Sequence, residues 1–119
     1  MNELEQRCLT FAKDVRDYCR QLKFDSVNKV YISQIIRSSS SVGANYIEAN
    51  EKLGKQDLIM RLRIARKEAK ETQYWLELLT YGADTELDKL KREVVELRRI
   101  LSAIINKVLQ NQTAETIKN

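Results

Sequence analysis

No histidine and no proline occur in the 119 residues of this chain, and glycine appears three times, at Gly43, Gly54 and Gly82. Each shortage excludes something. A chain with so few breakers has little to interrupt long helices, and it lacks the turn residues of a many-stranded β fold. Without histidine, the commonest general base is missing. The Glu-x-x-His pairs with which carboxylate bundles hold paired metals are missing too. The two cysteines, Cys8 and Cys19, are eleven residues apart within one expected helix, a separation of roughly 16 Å that no disulfide bridges. Reduced, partly buried thiols fit a cytoplasmic protein. Apolar runs are only a few residues long, too short to span a membrane, and the polar, acidic start Met1-Asn2-Glu3-Leu4-Glu5 has no signal-peptide core. There is no phosphate-cradling glycine loop and no CxxC, and the serine run at 38–41 has no nucleophile-elbow context. The expectation is a cytoplasmic, non-enzymatic protein with no catalytic residue, no metal and no cofactor.

What remains is charge and helical periodicity. Charged residues make up 32% and apolar residues 43%, with a net charge of +4. The length is that of one domain, and it buries a core without metals or disulfides. The spacing predicts four helices, at about 3–22, 27–51, 55–81 and 86–109, forming a single domain over 1–110 with a polar tail at 111–119. The first has apolar positions Leu4, Cys8, Phe11, Val15, Tyr18 and Leu22, alternating by four and three. Asp25 or Ser26 supplies an N-cap for the second. Its seam of Tyr31, Ile35, Ser38, Val42, Asn45 or Tyr46, and Ala49 continues through Ser38-Ser39-Ser40-Ser41, so helix is expected there despite poor propensity. Gly54 marks a turn, and Gly82-Ala83-Asp84-Thr85 supplies a C-cap and then an N-cap. The fourth seam is Leu87, Leu90, Val94, Leu97, Leu101, Ile104 and Val108. Short connections between long helices favour an all-α, antiparallel, up-down-up-down four-helix bundle.

Projected at about 100° per residue, the third helix shows three faces. Leu58, Leu62, Ala65, Ala69, Thr72 and Leu76 form a core stripe. Met60, Ile64, Glu71, Trp75 and Leu78 lie beside it and widen the apolar arc beyond what a monomer needs, which points to a subunit interface anchored by Trp75. On the third face Arg63, Arg66, Lys67 and Lys70 recur at i, i+3, i+4 and i+7 with no carboxylate among them, and Tyr74 extends the stripe by a turn. Four uncompensated cations ending on an aromatic make a footprint for phosphate backbone with base stacking. Repetition around a homo-oligomer would enlarge it. Lys91, Arg92, Arg98 and Arg99 on the fourth helix are interleaved with Asp88, Glu93 and Glu96, which reads as surface ion pairing of small individual worth.

Polar residues also stand where apolar ones are expected. Arg37, Ser41, Asn45 and Glu48 share a side of the second helix, and Glu68, Glu71 and Trp75 a strip of the third. An arginine facing another helix needs a carboxylate, so Arg37 is expected to pair with Glu68 or Glu71, within or between subunits. Asn45 is a candidate register-fixing residue. A metal site of Glu48, Glu68 and Glu71 is the weaker alternative, given the absence of histidine.

Two stretches are more specific. Gln34-Ile35-Ile36-Arg37-Ser38-Ser39-Ser40-Ser41-Val42-Gly43-Ala44-Asn45-Tyr46-Ile47-Glu48-Ala49 resembles a signature of the form Q-x-x-R-S-x-x-S-[IV]-x-A-N-x-x-E-[GA]. It belongs to the four-helix-bundle family named after the 23S rRNA intervening-sequence proteins. Ile64 to Leu79 resembles the family's second signature, K-E-x-x-E-T-x-Y-W-L-x-L-L. The resemblance implies antiparallel protomers in a ring-like homopentamer, in bacterial cytoplasm. It also brings in the accessory variability proteins of diversity-generating retroelements, basic pentamers that bind a reverse transcriptase and its RNA. Arg37, Ser38, Ser41, Asn45 and Glu48 match the first motif, and Glu68, Glu71 and Trp75 the second; none is catalytic in the family. Tyr46 and Ala49 stand where isoleucine and glycine are frequent. The expected partners are further copies of the chain and RNA or another nucleic acid. A protein-interaction scaffold, such as an accessory subunit to a reverse transcriptase, is the alternative.

Overall fold

The computed structural model describes residues 1–118. Among these residues there are four helices and no strand: α1 (Glu3–Arg20), α2 (Ser26–Ala49), α3 (Lys55–Leu78) and α4 (Thr85–Lys118). No helix among them is long and apolar enough to cross a membrane.

Side-chain caps set three of the four starts. The Asn2 side chain accepts the Glu5 amide at 2.8 Å while the Glu5 carboxylate accepts the Asn2 N–H, a reciprocal capping box. Asp25, not Ser26, caps α2 by accepting the amides of Val27 and Asn28. Asp84 caps α4 through the Leu87 amide at 3.0 Å. α3 starts differently. Gly54 stands at its N-cap with φ of 120° and no side-chain bond, a backbone conformation that favours glycine.

The ends differ from the expected ones. The first three helices stop two or three residues short of 22, 51 and 81. Gly82 is not a C-cap. The last turn of α3 closes instead by tight bonds, Leu79 N–H to the Leu76 carbonyl and Thr80 N–H to the Glu77 carbonyl. No left-handed residue is therefore needed. The fourth helix continues past 109 to Lys118, through most of the expected polar tail, and residue 119 lies outside the described residues. Nothing in 110–118 breaks a helix. Thr113 and Thr116 turn their hydroxyls onto the Leu109 and Gln112 carbonyls, and Glu115 pairs with Lys55 at the start of α3.

α1 packs against α2 and α4, and α3 against the same two helices on the other side. Along α1 and α4 the contacts run in opposite chain order: Arg7 meets Glu93, and Tyr18, later in α1, meets Asp84. Along α3 and α4 the order is again reversed, with Arg66 at Ser102, Gln73 at Arg98 and Glu77 at Lys91. The body measures 58 × 23 × 23 Å.

The interior follows the seams, with two shifts. Cys8, Phe11, Val15, Ile35, Val42, Leu62, Leu76, Leu87, Val94, Leu97 and Leu101 are essentially inaccessible. Each such leucine contributes on the order of 2 kcal/mol. In α4 the seam passes to Ile105, at 1% exposure, and Ile104 is half-buried. A straight helix drifts from a strict seven-residue repeat, so the next inward position after Leu101 is four residues on. In α3, Ile59 beside the stripe is buried as well, while Leu58 is half-buried and packs against the core.

The serine run is continuous helix. Ser38 and Ser39 are buried, and Ser38, Ser39 and Ser41 bond back to carbonyls three or four residues earlier. Small residues here permit close approach: a Cβ added at Gly43 would sit 3.1 Å from the Cys8 Cβ. Burial pushes the Cys8 and Cys19 thiols up to about 11.

Candidate nucleic-acid interface

α3 lies between α2 and α4, so its three faces meet three surroundings. The apolar stripe enters the core. Toward α2, the side chains of the two motifs come together within one chain. The Arg37 guanidinium reaches Glu68 and Glu71 at 3.1 Å each and donates a third bond to Gln34. The Glu68 side chain is 9% exposed against 49% for Arg37, so the carboxylate is the buried partner. Bonding to Glu71, with the charges of both carboxylates, raises the Arg37 pKa above its ordinary value. One turn deeper, the Thr72 hydroxyl lies 2.7 Å from Ser38 Oγ and 2.8 Å from the Glu68 carbonyl. Ser41 bonds to the Arg37 carbonyl, and Asn45 donates to the Ser41 carbonyl of its own helix rather than across to a neighbour. Glu48 is exposed. Glu68 and Glu71 are thus bound to an arginine. Among the described residues, no three His, Cys, Asp or Glu side chains gather as a metal-holding group.

Trp75 is half-buried at the edge of this face, between two tyrosines. Its ring centroid is 6.1 Å from that of Tyr31 and 5.6 Å from that of Tyr74, the latter edge-on. Val27 and Val30 on α2 are exposed, as is Tyr74 at 61%.

The third face carries the cations. Arg63, Lys67 and Lys70 are exposed. Among the described residues no carboxylate lies within 4.0 Å of these three or of Arg66, whereas Arg7, Arg37, Lys55, Arg61, Lys91 and Arg99 all have such partners. Arg66 departs from the stripe. It is half-buried and leans toward α4, where its Nη1 donates to Ser102 Oγ at 3.4 Å.

The reading of α4 as a run of local surface ion pairs needs correction. Arg99 does pair with Glu96, but Lys91 pairs with Glu77 of α3, and Glu93 with Arg7 of α1. Among the described residues no carboxylate pairs with Arg98; it donates to the Gln73 side-chain carbonyl of α3. The sequence reading places Arg98 among the surface ion pairs instead. The signal that could have found it is its position four residues after Val94, beside the seam, where a side chain meets the next helix.

Residues 2–103 match the model of the 23S rRNA-intervening sequence protein family. The chain belongs to that family. Among solved structures it is similar to a protein of unknown function from the S23 ribosomal protein family of Bacteroides thetaiotaomicron, with 34% identity and a TM-score of 0.75. That likeness covers 86% of this chain and 97% of the other. No curated protein matches it. In this member of the intervening-sequence family both motifs and the whole of α3 fall inside the matched residues, and the last turns of α4 fall beyond them.

Proposed function

We propose that the chain is a non-catalytic, antiparallel up-down-up-down bundle that assembles with copies of itself and binds RNA or another nucleic acid through the basic face of α3. The reversed order of contacts between neighbouring helices supports the antiparallel reading. Two buried, unbridged thiols support a reducing, cytoplasmic setting. Self-assembly, as the ring-like homopentamer that the family resemblance implies, is supported by the half-buried Trp75 between Tyr31 and Tyr74 and by the exposed Val27 and Val30. Glu71, paired with Arg37, stands one turn from Trp75 on α3.

One observation carries the nucleic-acid reading: among the described residues Arg63, Arg66, Lys67 and Lys70 stand without carboxylate partners on a helix whose other two cations, Lys55 and Arg61, are paired. A face used only for solubility gains from interspersed acids. A cationic face without interspersed acids gains affinity from counterion release, and Tyr74 at its end offers a stacking surface. Replacing all four cations by glutamine is expected to lower affinity for a labelled single-stranded RNA about a hundredfold at low salt. Undiminished binding by that variant would overturn the assignment. Sedimentation should give a multiple of the 13.9 kDa protomer, and a single-chain mass would remove the repeated surface.

The aromatic edge also favours a second reading, a protein scaffold or accessory subunit to a reverse transcriptase. Partner capture insensitive to salt, in protein free of nucleic acid, would select it.

A further inference from the structure

The seam between α3 and α4 collects cations from both helices. Arg66 crosses from α3 to Ser102 on α4, and Arg98 crosses from α4 to Gln73 on α3. The two crossings are four residues apart on α4 and seven apart on α3, about 6 Å and about 10 Å along the axes. Lys70 lies on α3 between Arg66 and Gln73. Gln73 of α3 and Val95, Arg98, Arg99, Ser102 and Asn106 of α4 line an open cleft of about 470 Å³ at this seam; Arg66 reaches it through Ser102, and Lys70 stands outside its lining.

The partners of the two arginines are the informative feature. A carboxylate would fix a guanidinium and also neutralise it, as Glu68 and Glu71 do for Arg37. A hydroxyl or amide oxygen fixes the group and leaves its charge, with the remaining N–H donors of the fork free for an anion. Two half-buried guanidiniums on one seam repel each other, and an anion between them relieves that repulsion.

We infer that the α3–α4 cleft is part of a track for the phosphate backbone of a single nucleic-acid strand, with Arg98 in its lining, Arg66 at its edge beside Ser102, and Lys70 next to Arg66 on the exposed side of α3. This rests on the nucleic-acid reading above and adds a second helix to it. The strand runs along the seam, with Ser102 and Gln73 positioning the arginines.

The test is fluorescence anisotropy with a labelled 20-nucleotide oligouridylate over a salt series. R66Q/R98Q should bind about tenfold or more weakly at low salt, with the slope of log affinity against log salt reduced in magnitude by about 1.4 for two lost single-strand contacts. R66K/R98K, which keeps the charge, should restore the slope while remaining weaker than the parent for loss of the fork. That variant carries the test if the glutamine pair fails to fold. K13Q/K29Q removes the same charge from exposed positions on α1 and α2 and should change affinity by no more than about threefold. Equal losses in K13Q/K29Q and R66Q/R98Q would reduce the effect to net charge and overturn the track. Loss in R63Q/K67Q with none in R66Q/R98Q would put the strand on the outer face of α3, overturning the track and keeping the nucleic-acid reading. No binding by the parent protein at low salt would overturn both.

Discussion

Toward α2, helix α3 meets an arginine with two carboxylates; toward α4 it offers one arginine and receives another, and both end on neutral oxygens. The two sides are built from similar residues on the same helix. On the α2 side the charge is cancelled, Glu68 is buried, and a hydroxyl pair lies beneath it. On the α4 side the Arg66 and Arg98 charges stay uncancelled, with the Lys91–Glu77 and Lys55–Glu115 pairs farther along the same seam. Arginine content therefore does not by itself say which guanidiniums are neutralised by the fold. What separates them is the partner: a carboxylate cancels the guanidinium's charge, while an amide or hydroxyl orients the group and leaves its charge in place.

The strongest way to break this contrast is to remove Arg37. R37A strands Glu68 and should cost about 2 kcal/mol in urea unfolding, less than a fully buried pair because the guanidinium is half in water. RNA affinity should hardly move. The glutamine substitution of Arg63, Arg66, Lys67 and Lys70 should do the reverse, leaving stability within about 0.5 kcal/mol. A matching stability loss there would erase the distinction. Below the ion pair, T72V should cost about 1 kcal/mol by leaving Ser38 short of a partner, and S38A added to it should recover part of that loss. Strictly additive losses would mean that the two hydroxyls act independently.

The smallest effect lies off both faces, at the start of α4. The Leu87 amide and the Tyr18 hydroxyl hold the Asp84 carboxyl below its ordinary range. A depressed folded pKa contributes stability that is present above the ordinary carboxylate pKa and is lost as pH falls through the folded one. D84N should therefore lower the melting temperature at neutral pH and flatten its acid limb. An unchanged acid limb would show that Asp84 makes no difference between the folded and unfolded chain.

Much of this was legible before any coordinates. The seam from Leu4 to Leu22 and that from Leu87 to Leu101 announce buried stripes, because helical periodicity is a local property. The serine run was recognisable as helix because apolar spacing continues on both sides of it. Partner identity was less accessible. Whether Arg98 meets Gln73 or a nearby glutamate depends on how α3 and α4 slide against each other, and the packing of many side chains sets that. Gly82 misled because glycine at a helix end usually signals a left-handed cap, and here a tight right-handed turn closes the helix.

Gly43 places α1 against α2 at a separation that leaves no room beyond the Cys8 Cβ, and Cys8 and Cys19 lie on the covered side of α1. Neither sulfur meets a reagent in solution while α1 is seated, and the raised pKa values leave little thiolate at neutral pH. The pair therefore acts as two stopwatches set at opposite ends of one helix. Their separate modification rates would time how often each end of α1 lifts away, and so distinguish fraying from release of the whole helix.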